Sequence, residues 1–287
     1  MIDLSVVIVH YCRPLLLKEC LESLFRQKTK YNIEVIVVDN GSNISGIKEI
    51  LDKFPGIIPI FLKKNLGYGA ACNRGFAKTK GEFTLFMNED TVIQSKALDE
   101  MIEFARAKPL LGIEGPKILN QSGELQLSYG PFPTIISAIF DIFKPKNKRK
   151  YYIKDYDKAH LCNWVTGAAF MIRRKTAEQV GLFDENYFLY YEDIDLCFRT
   201  IKKGWEIWYN PKPAVIHKHP HNSRNEKDLY LEGIIRESHL FFHKKHYGYL
   251  NFLILKTLTL LYFLLLSLVP SYHEEGLKLF KKVLMIR

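Results

Sequence analysis

Within the first 120 residues, short β-branched runs alternate with stretches whose apolar residues recur at helical spacing, and few folds accept that order. Leu4 to Val9, Glu34 to Val38, Ile57 to Leu62, Phe83 to Met87 and Ile113 to Ile118 read as strands. Leu15 to Gln27, Ser45 to Phe54, Gly69 to Thr79 and Ala97 to Ala107 read as helices. Strands that are apolar almost throughout need cover on both faces. The pattern therefore predicts an α/β fold with a mostly parallel central sheet flanked by helices. Ligands of such sheets bind at the carboxyl ends of the strands.

Those ends are polar or rich in glycine. The first strand runs into His10, Tyr11, Cys12, Arg13 and Pro14, the second ends VVDNGS, the third is followed by KKNLGYGAACNRG, and the fourth ends FMNED. Asn88, Glu89 and Asp90 follow a buried strand directly, so they are expected to project into a cleft at the sheet edge. Oxygen donors of that kind suit a hard divalent cation holding a pyrophosphate, the alternative being a helix cap. Asp39 is a lone acid at a strand end, able to accept hydrogen bonds from a base or ribose or simply to form a turn ahead of Asn40 and Gly41. Asn65, Gly67, Gly69 and Asn73 suit a backbone that turns sharply and approaches a ligand closely. A phosphate loop of the GxxxxGK[ST] type and a GxGxxG turn after the first strand are both absent, which argues against an ordinary NTPase or nicotinamide enzyme.

The segment from 120 to 160 loses the pattern, and its KPKNKRKYYIKDYDK run predicts a basic loop. Order resumes with WVTGAAFMIRR as a strand, Lys175 to Val180 as a short helix, and WEIWY and AVIHKH as two further strands. Between them, YFLYYEDIDLCFRTIKKGW concentrates three carboxylates at the start of a helix. Acids favour a first turn, and Asp195 stands four residues before Arg199, a stabilising ion-pair spacing. His217, after the strand PAVI, is a candidate metal ligand in competition with His219 and His221. With an aspartate from the other half it would make a partial shell for Mg2+ or Mn2+. Asp228 to His246 reads as a helix whose His239, His243 and His246 have no carboxylate or cysteine companion and so form a solvated or headgroup-facing side.

The apolar stretch LNFLILKTLTLLYFLLLSLVP, residues 250–270, approaches the length of a membrane span, but Lys256 interrupts it. A helix lying in the membrane interface fits best, with a true span and a buried helix or homo-oligomer face as alternatives. Lysine and arginine total 41 against 31 acidic residues, a formal charge of +10, which implies an anionic partner. No nucleic-acid-binding motif is present, so headgroups and phosphates are the expected partners rather than DNA or RNA. Five scattered cysteines point to a reduced compartment, and MIDLSVVIVHY reads as a strand rather than a signal peptide.

Taken in order, SVVIVHYCRP, VIVVDNGS, NLGYGAACNRG, FMNED, WVTGAAFMIRR, FDENYFLYYEDIDLCFR and VIH resemble the inverting family-2 glycosyltransferases of the GT-A fold, especially rhamnosyltransferase-like members. The resemblance spans roughly residues 3–220. It implies a glycosyltransferase domain over 1–225, with a nucleotide-binding half at 1–120 and an acceptor half at 121–225, and a membrane-associating helical region at 226–287. It further implies that Asp39 binds the nucleobase within a donor set that includes Tyr11, Asn65, Gly67, Asn73 and Asn88. Asp90 and His217 would then hold Mg2+ or Mn2+, and Asp193 would be the general base. Trp164, Gly167, Tyr191 and Glu192 are expected on the acceptor side, while Asp195 and Arg199 hold the helix in place. One departure is the Asn88 that stands where a DxD-like motif often begins with aspartate. The implied reaction moves a sugar, L-rhamnose from dTDP-rhamnose first among the candidates, to a glycan or lipid-linked acceptor in surface polysaccharide or O-antigen synthesis at the cytoplasmic face of the membrane. A UDP-sugar donor and a catalytically silent GT-A scaffold are the alternatives.

Overall fold

The computed structural model of the chain describes residues 1–44, 46–143, 156–218 and 229–286, the side chains of 141–143 aside. Strand β1 (Leu4–His10) leads through α1 (Pro14–Phe25) to β2 (Ile33–Asp39), then α2 (Ile47–Leu51), β3 (Ile57–Phe61), α3 (Tyr68–Phe76) and β4 (Phe83–Asn88). A short β5 (Thr91–Ile93), α4 (Ala97–Arg106) and β6 (Leu111–Leu119) follow. Next come β7 (Tyr129–Gly130), α5 (Ile135–Phe143), β8 (His160–Leu161), β9 (Trp164–Val165), β10 (Ala169–Arg173), α6 (Arg174–Val180), α7 (Glu192–Lys202) and β11 (Glu206–His217). Helices α8 (Leu229–Tyr247), α9 (Tyr249–Ser267) and α10 (His273–Met285) close the chain.

The central sheet runs β3-β2-β1-β4-β10-β6-β11-β5. Its first four strands are parallel, as are β6 and β11; β10 enters antiparallel between β4 and β6. Alternate residues of a strand face opposite sides. Leu4, Val6 and Ile8 accordingly pack with Leu17 and Leu21 of α1 and Met101 of α4. Val7 and Val9 pack on the other side with Ala71 of α3 and Leu196 of α7. All seven residues of β1 are buried, and at roughly 1.5–3 kcal/mol for each buried aliphatic side chain this strand anchors the parallel part of the sheet. The register sets His10 opposite Asp39 and Val9 opposite Asn88, so the polar strand ends meet on one edge.

Three expectations about elements need correction. WVTGAAFMIRR is not one strand. It breaks at Thr166–Ala168, because the N–H of Thr166 donates to the Ser128 carbonyl and both backbone groups of Gly167 bond side chains. Conversely, WEIWY and AVIH are a single twelve-residue strand, β11. Its register shifts between Asn210 and Ala214, where Pro211 and Pro213 have no N–H to pair and a bulge takes up the mismatch. The stretch after residue 120 includes helix α5, whereas the basic Lys144 to Lys150 run lies outside the described residues, as do His219, His221 and the expected boundary at 225/226.

A third apolar cluster joins Ala138 of α5 to Leu240 of α8, Phe252, Leu255 and Phe263 of α9, and Leu279 and Val283 of α10. The opposite side of α9 leaves Leu261, Leu264, Leu265 and Leu268 exposed, a spacing that puts them on one stripe. Nζ of Lys256, the charge that interrupts this apolar run, donates to the Leu284 and Ile286 carbonyls at 3.0 and 2.5 Å and so caps the end of α10.

Candidate active site

Asp39, at the end of β2, is buried and accepts hydrogen bonds from the hydroxyl and the N–H of Ser42. Ser42 in turn takes the N–H of Cys12 at 3.0 Å, tying the β1 and β2 ends together. Tyr11 is exposed beside them. The glycine-rich turn is arranged differently from expectation. Gly67 has φ of +91°, and a Cβ there would strike the carbonyl oxygen of Phe188, so its close approach is to the chain itself rather than to a ligand. The Asn65 amide oxygen accepts from Asn40 at 3.0 Å and from the Gly67 N–H at 2.9 Å, shaping this turn. Asn73 is likewise engaged: its amide bonds both the carbonyl and the N–H of Phe183, at 2.9 and 3.1 Å, and Glu185 at 3.0 Å.

At the end of β4, Asn88, Glu89 and Asp90 diverge. Glu89 does not project into the cleft. It is buried against the ring of His10 and accepts the Tyr11 N–H at 3.0 Å. Burial raises its pKa against the opposing pull of His10. Asn88 is half-buried and its N–H donates to the Ala168 carbonyl at 2.9 Å. Asp90 is buried, its Oδ1 3.2 Å from Nε2 of His217 and its Oδ2 3.6 Å from the Arg13 guanidinium. Although nothing hydrogen-bonds that Oδ1, the His217 ring is fixed from behind, with Nδ1 3.2 Å from Oε1 and 3.0 Å from Nε2 of Gln126. In the tautomer whose Nδ1–H donates to Oε1, the Nε2 lone pair faces a carboxylate oxygen that nothing hydrogen-bonds. A cation relieves that repulsion, and an outer partner on the ring is what metal-binding histidines commonly have. Aspartate and imidazole suit Mg2+ or Mn2+ as a partial shell. No group of three or more metal-ligating side chains occurs among the described residues.

The third cluster is the acidic turn. Tyr190 and Tyr191 both take φ of +67°, the left-handed region, a conformation that costs about 1–3 kcal/mol at each non-glycine position. This turn starts α7 with Glu192 and Asp193. Asp193 is half-buried; its Oδ2 accepts the Gly167 N–H and its Oδ1 the Ile194 N–H, each at 2.8 Å. The Gly167 carbonyl accepts from the Tyr68 hydroxyl at 2.8 Å. Burial raises the Asp193 pKa, opposed by the two amides. Glu192 is buried with Oε2 unbonded, and burial, reinforced by the Asp193 charge, lifts its pKa well above the carboxylate range. Burial thus pushes both carboxyls of this pair upward, and Glu192, the more deeply enclosed, further. Trp164 is half-buried, its indole N–H donating to the Pro131 carbonyl at 2.8 Å, while Tyr191 stacks on His239 with centroids 5.2 Å apart.

Two hydrogen bonds connect the acidic turn to the aspartate–histidine pair. Asp193 holds Gly167, and the next residue, Ala168, holds Asn88, two positions before Asp90. Sequence reasoning missed His10, Gln126 and Tyr68. A polar residue closing an apolar strand marks His10, but Gln126 lies 91 positions from its partner and carries no local signal.

Comparisons with known proteins bear on the family and the fold. The glycosyl transferase family 2 profile matches residues 5–181. The chain belongs to that family and is a glycosyltransferase of the GT-A fold. It is 28% identical over 267 residues to the N-acetylglucosaminyl-diphospho-decaprenol L-rhamnosyltransferase of Mycobacterium tuberculosis, covering 86% of each chain. It is 25% identical over 229 residues to the rhamnosyltransferase WbbL of Escherichia coli, covering 77% of this chain and 85% of that one. Among solved structures, GalNAc-T7 with UDP, GalNAc and Mn2+ superposes with a TM-score of 0.62 at 16% identity, over 83% of this chain and 47% of that one.

Proposed function

We propose that the protein moves L-rhamnose from dTDP-rhamnose to a lipid-linked saccharide in surface polysaccharide assembly, by one inverting displacement that requires a divalent metal. The observation that carries the mechanism is the asymmetry of the acidic turn: Glu192 is enclosed, whereas Asp193 keeps partial exposure and is held by the Gly167 and Ile194 amides. Asp193 takes the proton from the acceptor hydroxyl as that oxygen bonds to the anomeric carbon and the bond to the nucleoside diphosphate breaks on the opposite face. A carboxylate whose pKa is raised accepts a proton more readily than an ordinary one, which suits a base. Bound between Asp90 and His217, Mg2+ or Mn2+ would neutralise charge developing on the departing diphosphate. Diphosphate oxygens and water would complete its shell. Asp39 receives the nucleobase, with Tyr11 and Asn88 beside it; Asn65, Gly67 and Asn73 build the wall behind.

The names of the mycobacterial and Escherichia coli relatives support the rhamnosyl donor, and the former supports a polyprenyl-diphosphate acceptor. On this reading residues 1–225 carry the reaction, while the exposed leucine stripe of α9 rests on the cytoplasmic face of the membrane near that acceptor. Free cysteines throughout agree with a reducing compartment.

A thermal-shift screen with dTDP, UDP and GDP, each with and without Mn2+, tests the donor and the metal together. Stabilisation by dTDP that requires Mn2+ is expected. Preference for UDP moves the donor, a shift without metal removes the metal role, and no response to any nucleotide overturns the enzymatic reading of this chain.

A further inference from the structure

The strained pair Tyr190 and Tyr191 delivers Glu192 and Asp193, and a left-handed conformation at two successive non-glycine residues persists only where surrounding structure holds it. The supports come from α8, a helix the sequence suggested was a solvated or headgroup-facing histidine ladder. That expectation is overturned: His239 and His243 are buried, and the side chain of His246 is only 5% exposed. Asp195, two residues beyond Asp193, is fully buried. Its Oδ1 accepts from Nζ of Lys245 at 2.6 Å and from Nε2 of His246 at 2.7 Å, while its Oδ2 accepts from Nε of Arg199 at 2.7 Å. Nζ of Lys245 also reaches Asp184, at 2.6 Å, where the acidic loop begins. About two turns of helix away from these, the Ser238 hydroxyl donates to the Leu189 carbonyl at 2.9 Å and the His239 ring stacks on Tyr191. Phe241 meets Tyr187, and Phe242 meets both Tyr191 and Phe198. From residue 184 to residue 198, successive parts of the acidic segment are thus gripped by a single helix some 50 residues further along the chain.

We propose that α8 is the positioning element of the acidic turn: Ser238, His239, Lys245 and His246 hold Tyr190 and Tyr191 in the left-handed conformation and so keep Asp193 on the Gly167 amide. The inference rests on the reading of Asp193 as the base. Its consequence is that the C-terminal helices are not a detachable anchor. Helix α9 follows α8 after Gly248 alone, so a contact made by α9 reaches the grip on Asp195 through a rigid element.

The test uses the full-length chain and the variants Lys245→Met, Lys245→Arg and Ser238→Ala. Hydrogen exchange needs no substrate. In Lys245→Met and Ser238→Ala, the amides of Leu189 to Ile194 and of Gly167 should exchange faster while those of β1 to β4 keep their protection. With the nucleotide sugar found by the donor screen, kcat per active enzyme should fall by about 10- to 100-fold. Donor KM should not move, because α8 makes none of the described contacts to the donor-binding strand ends. Lys245→Arg should restore both readouts. Unchanged exchange in the turn overturns the proposal. So does a loss of kcat that merely follows the folded fraction, with donor binding falling alongside it. Should Asp193→Asn keep turning over while the turn loosens in Lys245→Met, the base assignment fails and the clamp stands.

Discussion

Asp90 and Asp193 are both acids at the site, but they are held in opposite ways. Asp90 sits between a histidine and an arginine and leaves one buried oxygen without a hydrogen bond. Asp193 has no cation among its bonded partners, only the N–H groups of Gly167 and Ile194, and burial lifts its pKa. The first environment leaves a carboxylate oxygen open to a cation. The second lets a carboxylate change its protonation state during a reaction. On the proposed roles, what separates a ligand from a base is the charge of the neighbours, not the residue type.

The sharpest way to break this contrast is Asp193→Asn. The amide keeps an oxygen for the Gly167 N–H but cannot take a proton, so kcat should drop by roughly 10²–10⁴-fold while metal-dependent nucleotide binding persists in calorimetry. In the unaltered protein, kcat should decline as pH falls through a value above the ordinary aspartate pKa of about 3.9, since only the ionised form acts. Comparable turnover in the variant would mean that the two acids do not differ as argued.

Asp90→Ala probes the other side. Removing the only carboxylate of the aspartate–histidine pair should weaken Mn2+-supported nucleotide binding by at least the roughly 10- to 100-fold typical of lost outer-shell partners. Gln126→Leu should fall near the lower end of that range, because it frees the His217 ring without removing a ligand. If the nucleotide binds Asp90→Ala as tightly as the parent in the presence of Mn2+, the cation site is elsewhere.

Asp195 supplies a third environment, in which three basic side chains drive the pKa down to about 2. A group depressed in the folded state stabilises above its unfolded pKa and loses that contribution as pH falls toward the folded value. Asp195 should therefore contribute fully above about pH 4 and progressively less as the pH approaches 2. Asp195→Ala, which leaves Arg199, Lys245 and His246 facing one another, should destabilise by about 3–5 kcal/mol in urea unfolding at neutral pH. A change below about 1 kcal/mol would put this cluster with ordinary surface pairs.

These three sites also differ in how far the sequence revealed them. The strand ends were legible because a buried strand must stop where polar residues begin, so Asp39, Asn88 and Asp90 fall on one edge by periodicity alone. The helix beginning at Glu192 was legible from its apolar spacing, and the ion pair of Asp195 with Arg199 from its spacing of four. What could not be read was anything held across the chain. His10 turns Glu89 inward, Gln126 fixes His217, and α8 covers the acidic segment, all through partners more than 40 positions away. Histidines at 239, 243 and 246 have a polar pattern, and only the tertiary fold brings the aromatic rings and the carboxylate that bury them. The glycine-rich turn misled for a related reason, because the backbone that Gly67 must approach belongs to the acidic loop.

The leucine stripe gives the smallest expected effect on chemistry and separates the roles of the two faces of α9. Phe252, Leu255 and Phe263 look inward to the third cluster, whereas Leu261, Leu264, Leu265 and Leu268 have 44–74% of their surface exposed. Changing Leu261, Leu264 and Leu268 together to glutamate removes apolar area already in water, so the thermal midpoint and kcat on a water-soluble acceptor should hold. Transfer of the exposed part of each leucine into lipid contributes on the order of 1 kcal/mol, and acidic side chains add repulsion from anionic headgroups. Cosedimentation with vesicles containing phosphatidylglycerol should then weaken by ~100-fold or more. Were binding to such vesicles unaltered, the basic surface alone would hold the protein to the membrane. Were kcat on the soluble acceptor to fall as well, the outer face of α9 would be acting on the acidic turn through α8, and the two faces would not be separable.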